Sequence, residues 1–182
     1  MSVAALPRQV NPLLLANRGQ SLRGSLPVKN FPRLAEAVVD LRGPIVAELE
    51  FVLTRPGRCR IQGRVQAPVA LTCQRCLQSM DWDLVSDFAW TPVTDVFSRD
   101  AAGGETAEAE PVELEDGQLD VIVALEDELL LALPAAPLHE DTNCAAGLKK
   151  EFTAAELQAG QKRSDNPFAV LQALKGQDKG KN

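Results

Sequence analysis

Along "PIVAELEFVL" apolar and polar positions alternate. Ile45, Ala47, Leu49, Phe51 and Leu53 share one face, and Glu48 and Glu50 take the other. Successive side chains of an extended chain point to opposite sides, so this period of two predicts a half-buried strand. "TRPGR" turns the chain. "CRIQGRVQ" repeats the alternation, with Cys59, Ile61, Gly63 and Val65 inward. "SMDWDLVSDFAWTPV" does so in part, setting Met80, Trp82, Leu84, Phe88 and Trp90 against Asp81, Asp83 and Asp87. "SLRGSLPV" reads as an edge strand stopped by Pro27. The pattern predicts at least four antiparallel strands.

Elsewhere the spacing is helical. "NPLLLANRG" starts with Asn11 as cap and Pro12 in the first turn. "NFPRLAEAVVDL" predicts a second helix capped by Asn30, with Phe31, Leu34, Ala35, Val38 and Leu41 as its buried stripe. "LDVIVALEDELLLALP" is the strongest helix. Asp120 caps it, Ile122, Leu125, Leu129 and Leu133 face inward, Glu126 and Asp127 face water, and Pro134 stops it. A last short helix is expected in "NPFAVLQALKG". The acidic, small-residue stretch at about 99–117 reads as a mobile loop, and about 149–165 as a polar linker. The fold class is α+β, as a single domain over 1–182. An antiparallel, barrel-like sheet of four to six strands is packed by the Phe31–Leu41 and Leu119–Leu133 helices.

Aromatic residues make up only 4 % of the chain and tyrosine is absent, so the interior must rest on Leu, Val, Ile and Ala. No run of apolar residues is long enough to span a membrane. The start lacks the pattern of a secretory signal, so a cytoplasmic location is expected. The net charge of −6 is unevenly spread. Arg55, Arg58, Arg60, Arg64 and Arg75 fall in a stretch without an acid. From Asp81 to Glu128 acids dominate, with Arg99 the one base. A small cationic face beside a large anionic one is the expected result.

The candidate chemistry lies in "LTCQRCLQSM". Cys73 and Cys76 sit at the predicted tip of a hairpin, spaced to share one tetrahedral zinc ion. His139 and Cys144, on the irregular segment "AAPLHEDTNC", are the candidates for the other two ligands. Two other readings stand beside this one. A redox pair normally opens a helix after a strand, whereas both flanks here read as strands. Two structural thiols with no metal need nothing further. Cys59 reads as a core residue. The side chains of Arg58, Arg60 and Arg64, with Arg75 nearby, could form a cationic ridge near the hairpin tip that contacts RNA phosphate. A solvated outer face, or an internal match for the acidic region, explains the same residues. No nucleophile–histidine–acid order, glycine-rich phosphate loop or small-molecule site is recognisable, so no enzyme is predicted.

Three blocks in order, "LTCQRCLQSM", "LDVIVALEDELLLALPAAPLHEDTNC" and "NPFAVLQALK", resemble the YceD family, the large ribosomal RNA subunit accumulation proteins. The likeness runs from about Arg33 onward. It implies a bacterial cytoplasmic protein that supports processing or accumulation of large-subunit ribosomal RNA without known catalysis. The implied partner is a ribosomal RNA precursor, a basic ribosomal protein, or both. An acidic chaperone for such a protein, or an RNA-processing enzyme using His139, are the alternatives. Relatives carry a cysteine near the place of His139 and a longer cysteine cluster after it. Here Ala145, Ala146 and Lys149 supply no ligand, which leaves Cys73, Cys76, His139 and Cys144 with no spare.

Overall fold

The computed structural model describes residues 5–55, 58–93 and 109–147, almost all of them in one compact unit that ends at Cys144. The polar linker and the last predicted helix lie outside the described residues, as does most of the acidic loop.

The chain starts with β1 (Gln9–Val10), α1 (Pro12–Asn17) and β2 (Ser21–Leu26). Asn11 caps α1 through Oδ1, which accepts from the Leu14 amide at 2.9 Å. α2 (Pro32–Ala37) and β3 (Asp40–Leu41) follow, then the long strands β4 (Ile45–Arg55), β5 (Arg58–Thr72) and β6 (Ser79–Val93). β7 (Glu110–Glu113), β8 (Leu119–Asp120) and α3 (Val121–Leu131) complete the set. The main sheet has six strands among the described residues, in the order β2-β4-β5-β6-β7, with β3 also paired to β5. β1 and β8 form a separate antiparallel pair.

The predicted alternation holds through the centre. Ile45, Ala47, Leu49, Phe51, Ile61, Val65, Leu84, Phe88 and Trp90 are all buried. α1 packs on β4 and β5, and α3 on β5 and β6, so the helices cover this face. The opposite face carries exposed Glu48, Glu50, Arg64 and Asp87. A sheet with one covered face and one wetted face has no need to close, and this one does not. The barrel-like expectation is corrected: β2 and β7 are the two ends of an open sheet. Nor is the sheet wholly antiparallel, because β7 runs parallel to β6.

The second helix is shorter than predicted. It stops at Ala37, and Val38 is already extended. The Val39 amide donates to the Ala70 carbonyl at 2.9 Å, and Asp40–Leu41 join the edge of β5. Two adjacent β-branched valines suit that exit. Phe31 and Leu34 are fully buried, as expected, but Ala35 is exposed. Phe31, not Asn30, occupies the cap position, and no side chain caps this helix. Leu53 is also exposed, unlike the inward residues that precede it. Within the acidic stretch, residues 109–117 are ordered in part. They form β7 and a tight turn in which Asp116 (φ 51°) and Gly117 (φ 73°) both take left-handed conformations.

Glu126 overturns its predicted place in water. It is buried, and it joins α3 to α2. Its Oε2 accepts from Arg33 Nε at 3.0 Å and its Oε1 from the Leu34 amide at 3.1 Å. Glu126 stands four residues after Ile122, and therefore within the apolar stripe. Removing the carboxylate strands a buried N–H. Glu126→Ala is expected to cost about 3 kcal/mol in urea unfolding, and Glu126→Gln, which can still accept from Leu34, about 1 kcal/mol. Equal losses for the two variants would rule out the hydrogen bond as the cause.

Candidate metal centre

β5 and β6 pair antiparallel up to Thr72 and Ser79, so the residues between them form the tip predicted from sequence. The tip is fastened by the Cys73 amide on the Gln78 carbonyl and the Leu77 amide on the Cys73 carbonyl, each 2.9 Å. Leu77 takes φ 60°, and this reversal sends the chain back into β6. Cys73 and Cys76 are both buried.

The segment after α3 returns to this tip. The Gln74 amide donates to the Pro137 carbonyl at 2.8 Å, which lays residues 137–139 against the cysteine loop. His139 Nδ1 then lies 3.3 Å from Cys76 Sγ. The Cys144 amide donates to the Asp141 carbonyl at 3.3 Å, in a turn that brings the third thiol inward. One donor atom from each of Cys73, Cys76, His139 and Cys144 falls within 4.8 Å of all the others. A tetrahedral ion with arms of about 2.3 Å holds its ligands roughly 3.8 Å apart, so this spacing suits such an ion with little adjustment. The Cys3His cluster can hold a metal ion.

The electrostatics also favour a cation. Burial opposes charge on Cys73, but hydrogen bonds from the backbone at Cys76, His139 and Arg75 outweigh it and lower its pKa to about 5. The Arg75 and His139 amides each stand 3.4 Å from its sulfur. These donors favour the Cys73 thiolate, the form that binds a metal. Cys144 shifts the other way: burial raises its pKa, as do its hydrogen bonds to Cys76 and Cys73 and their charge. The opposite shifts of Cys73 and Cys144 reflect negative charge gathered in a small space, which a divalent cation would balance. Cys59 stands apart as a buried core thiol, its pKa raised by burial.

Arg58, Arg60 and Arg64 alternate out of one face of β5, and Arg75 stands apart from them in the tip. Arg75 Nη1 donates to the Asp141 carbonyl at 3.0 Å and lies 3.7 Å from Cys144 Sγ, so this guanidinium bolts the two halves of the clasp together. Arg64 pairs with Asp87 at 3.4 Å. Arg58 and Arg60 sit at the opposite end of β5 from the cysteines, roughly 45 Å away along the strand, which corrects the expected place of the ridge near the tip. Arg58 faces Arg55 across the β4–β5 hairpin. Sequence alone groups Arg75 with the RNA-contacting arginines and misses its tie to the Cys144 segment, although its place between the two cysteines is a signal.

The family described as "Large ribosomal RNA subunit accumulation protein YceD" matches residues 61–175. The large ribosomal RNA subunit accumulation protein YceD of Haemophilus influenzae is 32% identical over 176 residues, covering 96% of this chain and 99% of that protein. The chain belongs to the YceD family. The family match takes in all four residues of the clasp and the whole of α3. No solved structure matches the chain. No described helix is long and apolar enough to cross a membrane.

Proposed function

We infer that this protein is a non-catalytic cytoplasmic factor that supports the accumulation of large-subunit ribosomal RNA. The observation that carries the reading is the end-to-end likeness to the Haemophilus influenzae protein of that name. The chain's one histidine is a donor in the clasp, and as a metal ligand it is lost to general acid–base chemistry. The ion is zinc: three thiols and an imidazole around a tetrahedral space are a soft donor set that takes zinc in a closed, structural site. Zinc would fasten the segment after α3 to the β5–β6 tip. It has no reaction to perform there.

The RNA-contacting face is the arginine end of β5. Arg58 and Arg60 lie on the same face at one end of β5, which sets two positive charges together in a chain of net charge −6. Arg64 pairs with Asp87 nearer the middle of β5, and Arg75 is tied to the Cys144 segment at the far tip. The Arg58→Glu/Arg60→Glu double variant is expected to bind large-subunit precursor RNA about tenfold more weakly. The slope of log affinity against log salt should flatten by about 2. Gel-shift titrations at several salt concentrations measure both quantities. Unchanged binding would remove these two residues from the interface.

A second reading is favoured by the acidic composition of the stretch from Asp81 to Glu128: the direct partner is a basic ribosomal protein. Association with precursor particles that survives RNase but not high salt supports it. Association lost on RNase treatment supports the RNA reading.

A further inference from the structure

Two adjoining hollows lie where α3 leans on the end of the sheet. One, of about 400 Å³, has Trp90, Val112, Leu130 and Leu131 among its walls. The other is about 440 Å³, and Glu110 and Glu128 line both. No lysine or arginine lines either one. Leu131 is 74% exposed, the most open of the large apolar side chains described. The rim is completed by Asp127 and Asp87, each already paired to an arginine, Arg33 at 2.8 Å and Arg64 at 3.4 Å. The other two carboxylates differ. Among the described residues no cation pairs with Glu110 or Glu128. Glu128 is held in place by neutral donors alone, Trp90 Nε1 at 2.6 Å and Ser86 Oγ at 3.2 Å.

An apolar floor beside two carboxylates that no described cation pairs, Glu110 and Glu128, disfavours phosphate and suits a chain that brings both grease and positive charge. Trp90 is fixed from below by its stacking on Phe88, with ring centroids 4.0 Å apart, so the floor is already formed. We propose that this groove between α3 and β7 docks a short basic segment of a partner protein. An apolar side chain sits over Val112, Leu130 and Leu131, and a lysine or arginine sits between Glu110 and Glu128. The proposal rests on the second reading above in taking the partner to be a basic protein. It needs nothing from the arginine end of β5.

The test uses the full chain and a fluorescent synthetic peptide of alternating lysine and leucine, read by anisotropy at near-physiological salt. Glu110→Lys and Leu131→Ser should each weaken binding by about tenfold. Asp83→Lys makes the same charge change on the far part of β6 and should alter binding by less than about twofold. Glu110, Leu131 and Asp83 are all exposed, and thermal melts confirm that the variants fold. Equal losses for Glu110→Lys and Asp83→Lys would overturn the proposal, since generic charge attraction would then explain the binding. So would failure of the unaltered protein to bind the peptide, or polyuridine competing at the groove in a Glu110-dependent way. A dimer seen in sedimentation and dissolved by Leu131→Ser would assign the groove to a second copy instead. Arg58→Glu/Arg60→Glu should leave peptide binding unchanged, so that failure of the groove and failure of the RNA face are told apart.

Discussion

Cys73→Ser protein, purified without a histidine tag, will carry less than about a tenth of the zinc held by the unaltered chain. It will also melt roughly 10 °C lower. Cys73 is the donor that the fold prepares most fully: it is buried, and backbone amides from both sides of the clasp aim at its sulfur. A serine hydroxyl is a poor zinc ligand and would not ionise in its place. The stability loss follows from what the ion joins. Pro137, His139 and Cys144 are distant in sequence from the hairpin, and the hydrogen bonds from Gln74 and Arg75 hold them to it. An ion bound only in the folded state adds its binding energy to that thin set of contacts. Cys144→Ser and His139→Ala should also lose zinc. Cys59→Ser should keep it, because Cys59 lies in the core between β4 and β6 and outside the four-donor cluster. Elemental analysis of freshly reduced protein decides the matter. Absence of zinc from the unaltered chain would falsify the assignment.

How much of this was legible before the structure depended on the range of the interactions. The β5–β6 hairpin was, because alternation, clear on β5 and partial on β6, assigns each strand its buried face. With it came the place of Cys73 and Cys76 at the tip. Residue type alone makes His139 and Cys144 candidates. Their approach to the tip rests on the Gln74–Pro137 hydrogen bond and on where α3 ends, which no local pattern encodes. Glu126 was misplaced because its charge was weighed above its spacing, although Ile122, Glu126 and Leu129 share a face. "EDGQ" was a missed turn: Asp116 and Gly117 are the pair that favours two successive left-handed residues. The barrel-like expectation failed because α1 and α3 cover the apolar face in place of a closing strand. Polar outward residues such as Glu48, Glu50, Asp81, Asp83 and Asp87 fit a barrel and an open sheet alike, so alternation alone does not decide between them. The position of the arginines was misjudged by treating nearness in sequence as nearness in space along an extended strand.

Gly63→Ala is expected to destabilise the protein by about 3 kcal/mol or more, a large effect for one methyl group. Gly63 lies in the middle of β5, opposite Leu49 on β4 and Phe88 on β6. A Cβ there would run into the carbonyl oxygen of Glu48 and come within 2.7 Å of Phe88 Cζ. Neither neighbour can step aside. The first is backbone in the ladder to β5. The second is a buried ring stacked on Trp90, whose Nε1 is held by Glu128. The chain must instead part β4 from β5 locally, losing ladder hydrogen bonds and opening the core beneath Leu49 and Ile61. Gly117→Ala supplies the comparison. Its φ of 73° strains any side chain, but the nearest atom to an added Cβ is Asn11 Nδ2 at 4.0 Å, so only the backbone cost of about 1 kcal/mol remains. Urea titrations of the two variants therefore separate crowding from backbone strain. Equal losses would show that β4 yields at Glu48. A much larger loss at Gly63 would show that the centre of the sheet is packed too tightly to admit one carbon atom.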